Sequence, residues 1–129
     1  MKIRLQDGLP YVSASFTHRG QRLTFNNVIL DTGSVGTLFS IDKVTAIGVE
    51  YEPGDAVHRI RGVGGAEFVV TKRIDLVSIG ELEAHDLEVE LGALAYGFEI
   101  EGIIGMDFLT RTAAVIDLSR LEIYQAPRS

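Results

Sequence analysis

Hydrophobic and polar residues alternate with a period of two along most of the chain, in short runs rich in β-branched and aromatic side chains. Such runs predict strands, and the glycine, proline, aspartate and asparagine residues between them predict turns. Residues 18–21 predict a hairpin turn that joins a strand at 11–17 to a strand at 22–30. The pattern therefore predicts an all-β fold.

The rest of the chain extends this pattern. Its longest feature is a predicted hairpin over residues 56–79 that turns at the glycine-rich segment 62–65. A brief helix is predicted at 40–47, capped by Ser40 or Asp42 and ended by Gly48, and a second one at 106–110. Further strands are predicted at 37–39, 82–91, 102–105, 114–117 and 121–124. We expect a single domain over residues 1–129.

The amino-acid composition excludes several classes of function. The chain has 129 residues, of which 46% are apolar, and this is enough for one ordinary core. Its formal charge of −6 argues against binding to nucleic acid or to anionic membrane surfaces, which requires clustered lysine and arginine. There is no cysteine, and the three histidines are scattered, so no metal site is expected. No segment has the length of a signal-peptide core or a bilayer span, so we expect a cytoplasmic location.

One segment carries candidate chemistry. The apolar run Val28-Ile29-Leu30 leads directly into Asp31-Thr32-Gly33-Ser34. An aspartate beside apolar residues must be hydrogen-bonded or paired, and the hydroxyl groups and the glycine amide that follow it are suitable partners. A simple turn at a strand end has the same letters, so the motif alone does not decide between a turn and a catalytic site.

Two features later in the sequence favour a catalytic site over a simple turn. They are the glycine-rich turn at 62–65 and the segment Ile103-Ile104-Gly105, which enters a short helix. Together with the Asp-Thr-Gly motif, in this order, they resemble the retropepsin family of aspartic proteases, and the resemblance covers nearly the whole chain. It implies a closed β-barrel with a flap hairpin and one or two short helices. It also implies an aspartic endopeptidase that acts on polypeptides.

The resemblance assigns roles to particular positions. Asp31 becomes the catalytic aspartate, Thr32 bonds across to the loop of a partner chain, and Gly33 completes the catalytic triplet. Ser34 is expected to hydrogen-bond its own Asp31, while residues 103–105 support the loop from below. Contacts with the substrate are implied for Gly33, Ser34, Val63, Gly64 and Gly65, the last three at the tip of the flap. The mechanism needs no metal and no cofactor.

A single chain supplies only one of the two carboxylates that this mechanism needs. Peptide hydrolysis of this kind uses two close carboxylates that share one proton, one as general base and one as general acid. The sequence has one Asp-Thr-Gly, and neither Asp107 nor Asp117 lies in an equivalent motif. We therefore expect a homodimer in which Asp31 faces its own copy. Such a pair titrates as a unit, so we expect an acid-leaning activity optimum.

The chain departs from the retroviral pattern at two positions. Retroviral enzymes pair an arginine with an aspartate where this chain has Met106 and Val35. Because both charges are missing together, we expect an apolar contact between Met106 and Val35 instead. Asp107, at the start of the second predicted helix, is expected to cap that helix or to favour its dipole.

Other interpretations are weaker or remain open. Actin-like and sugar-kinase folds share an Asp-x-Gly-Ser segment but need two large α/β lobes, for which the chain is too short. The segment 62–66 lacks the spacing of a dinucleotide-binding loop. His58 is expected to face solvent, and so are the acidic side chains between 81 and 90. A non-catalytic dimerisation or peptide-binding module with the same fold remains an alternative.

Overall fold

The computed structural model describes residues 1–62, 65–94 and 99–127, with the backbone alone for residues 58–62 and 65–68. Within these residues the chain forms ten strands, two short α-helices and one 3₁₀ helix. The helices are α1 (Ile41–Val44), the 3₁₀ helix Thr45–Ile47 and α2 (Met106–Arg111). The strands are β1 (Arg4–Gln6), β2 (Leu9–His18), β3 (Gln21–Leu30), β4 (Leu38–Ser40), β5 (Ala56–Gly62), β6 (Gly65–Ile79), β7 (Leu82–Gly92), β8 (Gly102–Ile104), β9 (Ala114–Asp117) and β10 (Glu122–Gln125).

Six of the strands close into a barrel. They pair in the order β2, β3, β8, β4, β7 and β6, and β6 pairs back with β2. Strand β1 extends the sheet beyond β2, β5 extends it beyond β6, and β9 forms a separate hairpin with β10. A closed barrel leaves its six strands without an unpaired edge. The predicted fold class, a closed β-barrel with a flap hairpin and short helices, is confirmed.

Local sequence explains the hairpin that begins the barrel. Arg19 and Gly20 form its two-residue turn with φ of 50° and 78°. Turns with positive φ at both central residues match the right-handed twist of the flanking strands. The predicted hairpin is therefore present, with strands that extend slightly beyond 11–17 and 22–30.

Three phenylalanines form the centre of the core. The ring centroids of Phe16 on β2 and Phe39 on β4 lie 5.2 Å apart, nearly perpendicular. The ring of Phe25 on β3 stacks on Phe39 at 5.0 Å. All three are buried, in one hydrophobic cluster that extends along the chain from Ile3 to Ile123. Because these side chains come from three strands, they fix how the strands are placed around the barrel.

The structure differs from the sequence prediction in two elements. The helix predicted at 40–47 is divided into α1 and the 3₁₀ helix, and Ser40 stands at its N-cap without a side-chain capping bond. Gly48 does end it, with φ of 78°. Strand β1 was not predicted. All three of its residues are exposed, so it has no alternation of buried and exposed positions to reveal it.

The flap hairpin consists of β5 and β6. These strands pair continuously from Ala56 opposite Thr71 to Gly62 opposite Gly65, which agrees with the predicted turn at 62–65. Val63 and Gly64 lie outside the described residues, and so does the side chain of His58. No helix among the described residues is long and apolar enough to cross a bilayer.

Candidate active site

Asp31 lies directly after β3, at the start of the segment that leads to β4. We call residues 31–37 the Asp31 loop. Strand β8 runs between the two strands that this loop connects, parallel to β3 and antiparallel to β4. The backbone N–H of Asp31 donates to the carbonyl oxygen of Ile104 at the end of β8, at 2.9 Å. The loop is thus placed at the barrel end by apolar strands on both sides.

The Asp31 carboxylate is oriented by its own loop. Its Oδ1 accepts the backbone N–H of Gly33 at 2.9 Å, and the Asp31 carbonyl oxygen accepts the N–H of Ser34 at 3.1 Å. Asp31 is half-buried, whereas Ile29 and Leu30 before it are buried and Thr32 after it is exposed. The carboxylate therefore stands where the apolar strand reaches the surface.

Ser34 bonds to Asp31 through its backbone, and its side chain takes another partner. Its N–H donates to the Asp31 carbonyl oxygen at 3.1 Å, and its Oγ donates to the carbonyl oxygen of Gly36 at 2.8 Å. A serine hydroxyl donates one hydrogen, and here the loop backbone receives it. Ser34 thus stabilises the turn of the Asp31 loop.

Thr37 and Asp107 join the far end of the loop to α2. The Oγ1 of Thr37 donates to Asp107 Oδ1 at 2.7 Å, and its backbone N–H donates to Oδ2 at 3.2 Å. The same Oγ1 accepts the N–H of Gly105 at 3.1 Å. Thr37 is fully buried. Asp107 does lie in the first turn of α2, where a carboxylate favours the helix dipole, but the N-cap is Gly105.

This bracing function of Asp107 was not predicted from sequence. The sequence offers only a threonine just before a buried strand and an aspartate two residues after Gly105. Neither residue type indicates a partner some 70 positions away, because the contact depends on the pairing of β4 with β8.

Gly105 permits the closest backbone approach in this region. A Cβ placed on it would lie 2.3 Å from the carbonyl oxygen of Gly36 and 2.8 Å from that of Ser34. The following N–H, of Met106, donates to the same Ser34 oxygen at 2.8 Å. Only glycine leaves room for the start of α2 to lie against the Asp31 loop.

An apolar surface borders the loop. Val35 is 88% exposed and Met106 is 39% exposed. A side chain that is 88% exposed is not packed within its own chain. Within one chain, the expected Val35–Met106 contact therefore does not replace the arginine–aspartate pair of the retroviral enzymes. A groove of about 380 Å³ includes Met106 and is lined by Thr32, Met106, Leu109, Thr110, Ala113, Ala114 and Ile116. We call this surface, with Val35, the loop-side apolar surface.

The two other aspartates considered in the sequence are occupied elsewhere. Both oxygens of Asp107 accept hydrogen bonds from Thr37. Asp117 holds the β9–β10 turn, where its Oδ1 accepts the hydroxyl of Ser119 at 2.7 Å and the N–H of Arg120 at 3.1 Å. These bonds lower the pKa of Asp117 below its ordinary value, and the bond from the Ser119 hydroxyl is the largest cause. Neither residue is placed to act as a second carboxylate for Asp31.

The structure brings some of the predicted site residues together, and others lie outside the described residues. It brings Asp31, Thr32, Gly33 and Ser34 together in one loop. Gly65 lies opposite Gly62 at the end of the described flap, while Val63 and Gly64 lie outside the described residues. In the part of the chain that the structure describes, no group of three or more His, Asp or Glu side chains is arranged to hold a metal ion.

These features define a class of protein. A closed barrel carries an Asp-Thr-Gly loop at the end of an apolar strand, and an apolar-apolar-Gly strand runs between the two strands beside that loop. This is the arrangement of a retropepsin-like aspartic protease. The family described as aspartyl protease matches residues 14–108, and the chain belongs to this family.

Comparison with solved structures supports the same fold. A crystal structure of a retropepsin-like aspartic protease from Rickettsia conorii aligns with a TM-score of 0.67 over 95% of this chain and 95% of that one. The two sequences are 19% identical, so the likeness concerns the fold. No curated protein sequence matches the chain.

Proposed function

We propose that the chain is an aspartic endopeptidase whose active site forms when two copies associate, with Asp31 of each contributing one carboxylate. The observation that carries the proposal is the Asp31 loop. It presents one carboxylate, oriented by the Gly33 N–H, at the end of a buried strand. The hydroxyl groups of Ser34 and Thr37 are occupied in holding the shape of the loop.

Two such carboxylates would perform the chemistry together. One, ionised, removes a proton from a water molecule, and the other, protonated, donates its proton to the carbonyl oxygen of the peptide bond. Water attacks the carbonyl carbon, and the amine then leaves with a proton. Because the two carboxylates must share one proton, activity should be greatest on the acid side of neutrality.

The loop-side apolar surface supports association around Asp31. It includes Thr32, the residue proposed to bond across to the partner's loop, and Val35, which is almost wholly exposed. Exposed apolar side chains beside a half-complete site favour burial against a second copy. In such a dimer, the shared axis would pass between the two Asp31 loops.

The proposed substrate is an extended polypeptide. It would lie between Asp31 and the flap, with backbone contacts from Gly33 and Ser34 on one side and from residues 63–65 on the other. The flap is a regular antiparallel hairpin that ends in glycine at Gly62 and Gly65, and this allows its backbone to approach a substrate closely. Closure of the flap would exclude bulk water from the site, apart from the one water molecule that reacts.

The test compares the wild-type chain with Asp31→Asn. Cleavage of a denatured protein is measured from mildly acidic to neutral pH, and the oligomeric state is measured by light scattering. We expect the wild type to cleave as a dimer and the variant to be an inactive dimer, since asparagine keeps the size of the side chain and removes the charge. Two equally inactive dimers would instead support a non-catalytic binding module, and a wild-type monomer that cleaves would refute the shared site.

A further inference from the structure

A buried lysine stands at the base of the flap. Lys72 on β6 is only 7% exposed. Its Nζ donates to Asp55 Oδ2 at 2.7 Å, to Glu52 Oε1 at 3.0 Å and to the carbonyl oxygen of Glu50 at 3.2 Å. An ammonium group has three N–H donors, and all three are used. We call Lys72, Glu50, Glu52 and Asp55 the Lys72 cluster.

The cluster closes the base of the hairpin. The last flap pair toward the barrel is Ala56 opposite Thr71, so Asp55 and Lys72 continue the same register one step further. Asp55 also ends a tight turn, in which its N–H donates to Glu52 O at 3.0 Å and its carboxylate accepts the Glu52 N–H at 2.8 Å. Lys72 therefore ties a preformed turn to the returning strand of the flap.

The carboxylates of Glu52 and Asp55 are held in their charged forms. Hydrogen bonds from Lys72 are the largest cause that lowers the pKa of Glu52 and of Asp55. Burial by itself lowers the pKa of Lys72, but its bonds to Asp55 and Glu52 outweigh burial and raise it. The ion pairs therefore persist in mildly acidic solution, where the proposed reaction would run.

Arg19 reaches the cluster from one side, and two further ionisable residues lie beside Arg19. Arg19, in the β2–β3 turn, lies 3.2 Å from Glu52, and its backbone N–H donates to Asp75 on β6 at 2.8 Å. His18 on β2 lies 3.7 Å from Asp75. On β7, the residue opposite Lys72 is the apolar Val89. The flap base is thus fastened to the barrel through the β2–β3 turn.

The flap base is one strand away from the Asp31 loop. Thr71, beside Lys72, pairs with Glu90 on β7. The N–H of Glu90 donates to the carbonyl oxygen of Thr37, at the end of the Asp31 loop, at 2.9 Å. A change in the angle at which the hairpin leaves β7 would therefore change its position relative to the Asp31 loop.

We infer that Lys72 is a positioning residue for the flap: by tying the turn at Glu52–Asp55 to β6, it sets the angle of the hairpin and hence the binding of substrate beneath it. The inference rests on the proposed function, in which the flap covers the substrate. Replacement of a buried ion pair by apolar residues of similar volume is often neutral or stabilising, so geometric specificity is the reason that we propose for a lysine at this position.

The test uses Lys72→Met, which keeps an unbranched side chain and removes the three donors. Arg73→Met is the matched control, because Arg73 is the next residue on β6 and its side chain is exposed, 3.9 Å from Glu88. Amide hydrogen exchange by NMR, corrected for intrinsic rates, is measured over residues 56–62 and 65–71. We expect Lys72→Met to lower protection there by about tenfold or more while β3 and β8 keep theirs. We expect Arg73→Met to match the wild type.

Kinetics separate positioning from stability. With a fluorescently labelled denatured protein as substrate, Lys72→Met should raise KM several-fold with kcat largely kept, and Lys72→Arg should recover most of the loss. If Lys72→Met fails to fold, Asp55→Asn, which removes the 2.7 Å ion pair, should show the same selective loss of flap protection. Unchanged flap protection, or a loss of kcat at constant KM, would overturn the inference. A wild-type chain without cleavage would overturn the proposed function, whereas the exchange result would still decide whether Lys72 orders the flap.

Discussion

Among the glycines whose surroundings the structure describes, Gly105 is the one where an added carbon meets the closest backbone atoms, so we expect a large effect there on both stability and activity. In Gly105→Ala, the new Cβ would lie 2.3 Å from the carbonyl oxygen of Gly36 and 2.7 Å from its carbonyl carbon. These are backbone atoms, so no side-chain rotation relieves the overlap. To reach an ordinary contact distance, the Asp31 loop and the start of α2 must separate by roughly 1 Å.

That separation has a calculable cost. Insertion of a carbon into a packed site costs about 1–3 kcal/mol. The displacement also lengthens the bonds from Met106 N–H to Ser34 and from Gly105 N–H to Thr37, now 2.8 Å and 3.1 Å, each worth about 1 kcal/mol. The total loss in the free energy of unfolding is about 3–5 kcal/mol, a large part of the roughly 5–15 kcal/mol of a typical domain.

Gly36→Ala is the matched control. Gly36 lies in the same loop, but the nearest atom to its added Cβ is Glu90 Oε1, at 3.5 Å, the end of a side chain that can move. Its unfolding free energy should stay within about 1 kcal/mol of the wild type, because the lower entropy of the unfolded chain offsets a small contact cost.

Urea unfolding at one fixed protein concentration measures both variants, with peptide cleavage recorded in parallel. We expect Gly105→Ala to unfold at a much lower urea concentration and to lose cleavage, because Asp31 moves with its loop. Equal midpoints for the two alanine variants would refute this reasoning, since they would show that the backbone contact at Gly105 is not constraining.

Three further predictions concern other parts of the chain. Thr37→Val removes the hydroxyl group that bonds to Asp107 and to the Gly105 N–H, so we expect the free energy of unfolding to fall by about 2–4 kcal/mol. Thr37→Ser keeps the hydroxyl group and should restore this loss. Equal urea midpoints for Thr37→Val and Thr37→Ser would contradict the prediction. The lowered pKa values of Glu52 and Asp55 mean that the stabilisation by these two carboxylates is present above about pH 4 and is lost as the pH falls through their folded values. Urea midpoints of Lys72→Met should therefore fall less on acidification than those of the wild type, and parallel pH curves would disprove this. Val35→Glu places like charges on the loop-side apolar surface, so light scattering should show a folded monomer without cleavage, and an active dimer would exclude this surface as the interface.

Most of the fold could be predicted because its information is local. The alternation along β2 and β3, and the Arg19-Gly20 turn between them, depend on neighbours within a few residues. The glycine-rich turn of the flap and the glycine that ends the first helix are read in the same way. The exposed strand β1 was not predicted, because an edge strand without a buried face shows no alternation of apolar and polar residues.

The sequence by itself determined that a carboxylate stands where an apolar strand ends, since residues 28–34 state this directly. Only the tertiary structure decided which groups hold it there. The bond between Thr37 and Asp107 exists because β8 inserts between β3 and β4, and the burial of Lys72 follows from a turn some 20 residues earlier in the chain. Such contacts depend on pairings between distant strands, and these are selected by the closure of the whole barrel, which no single segment specifies.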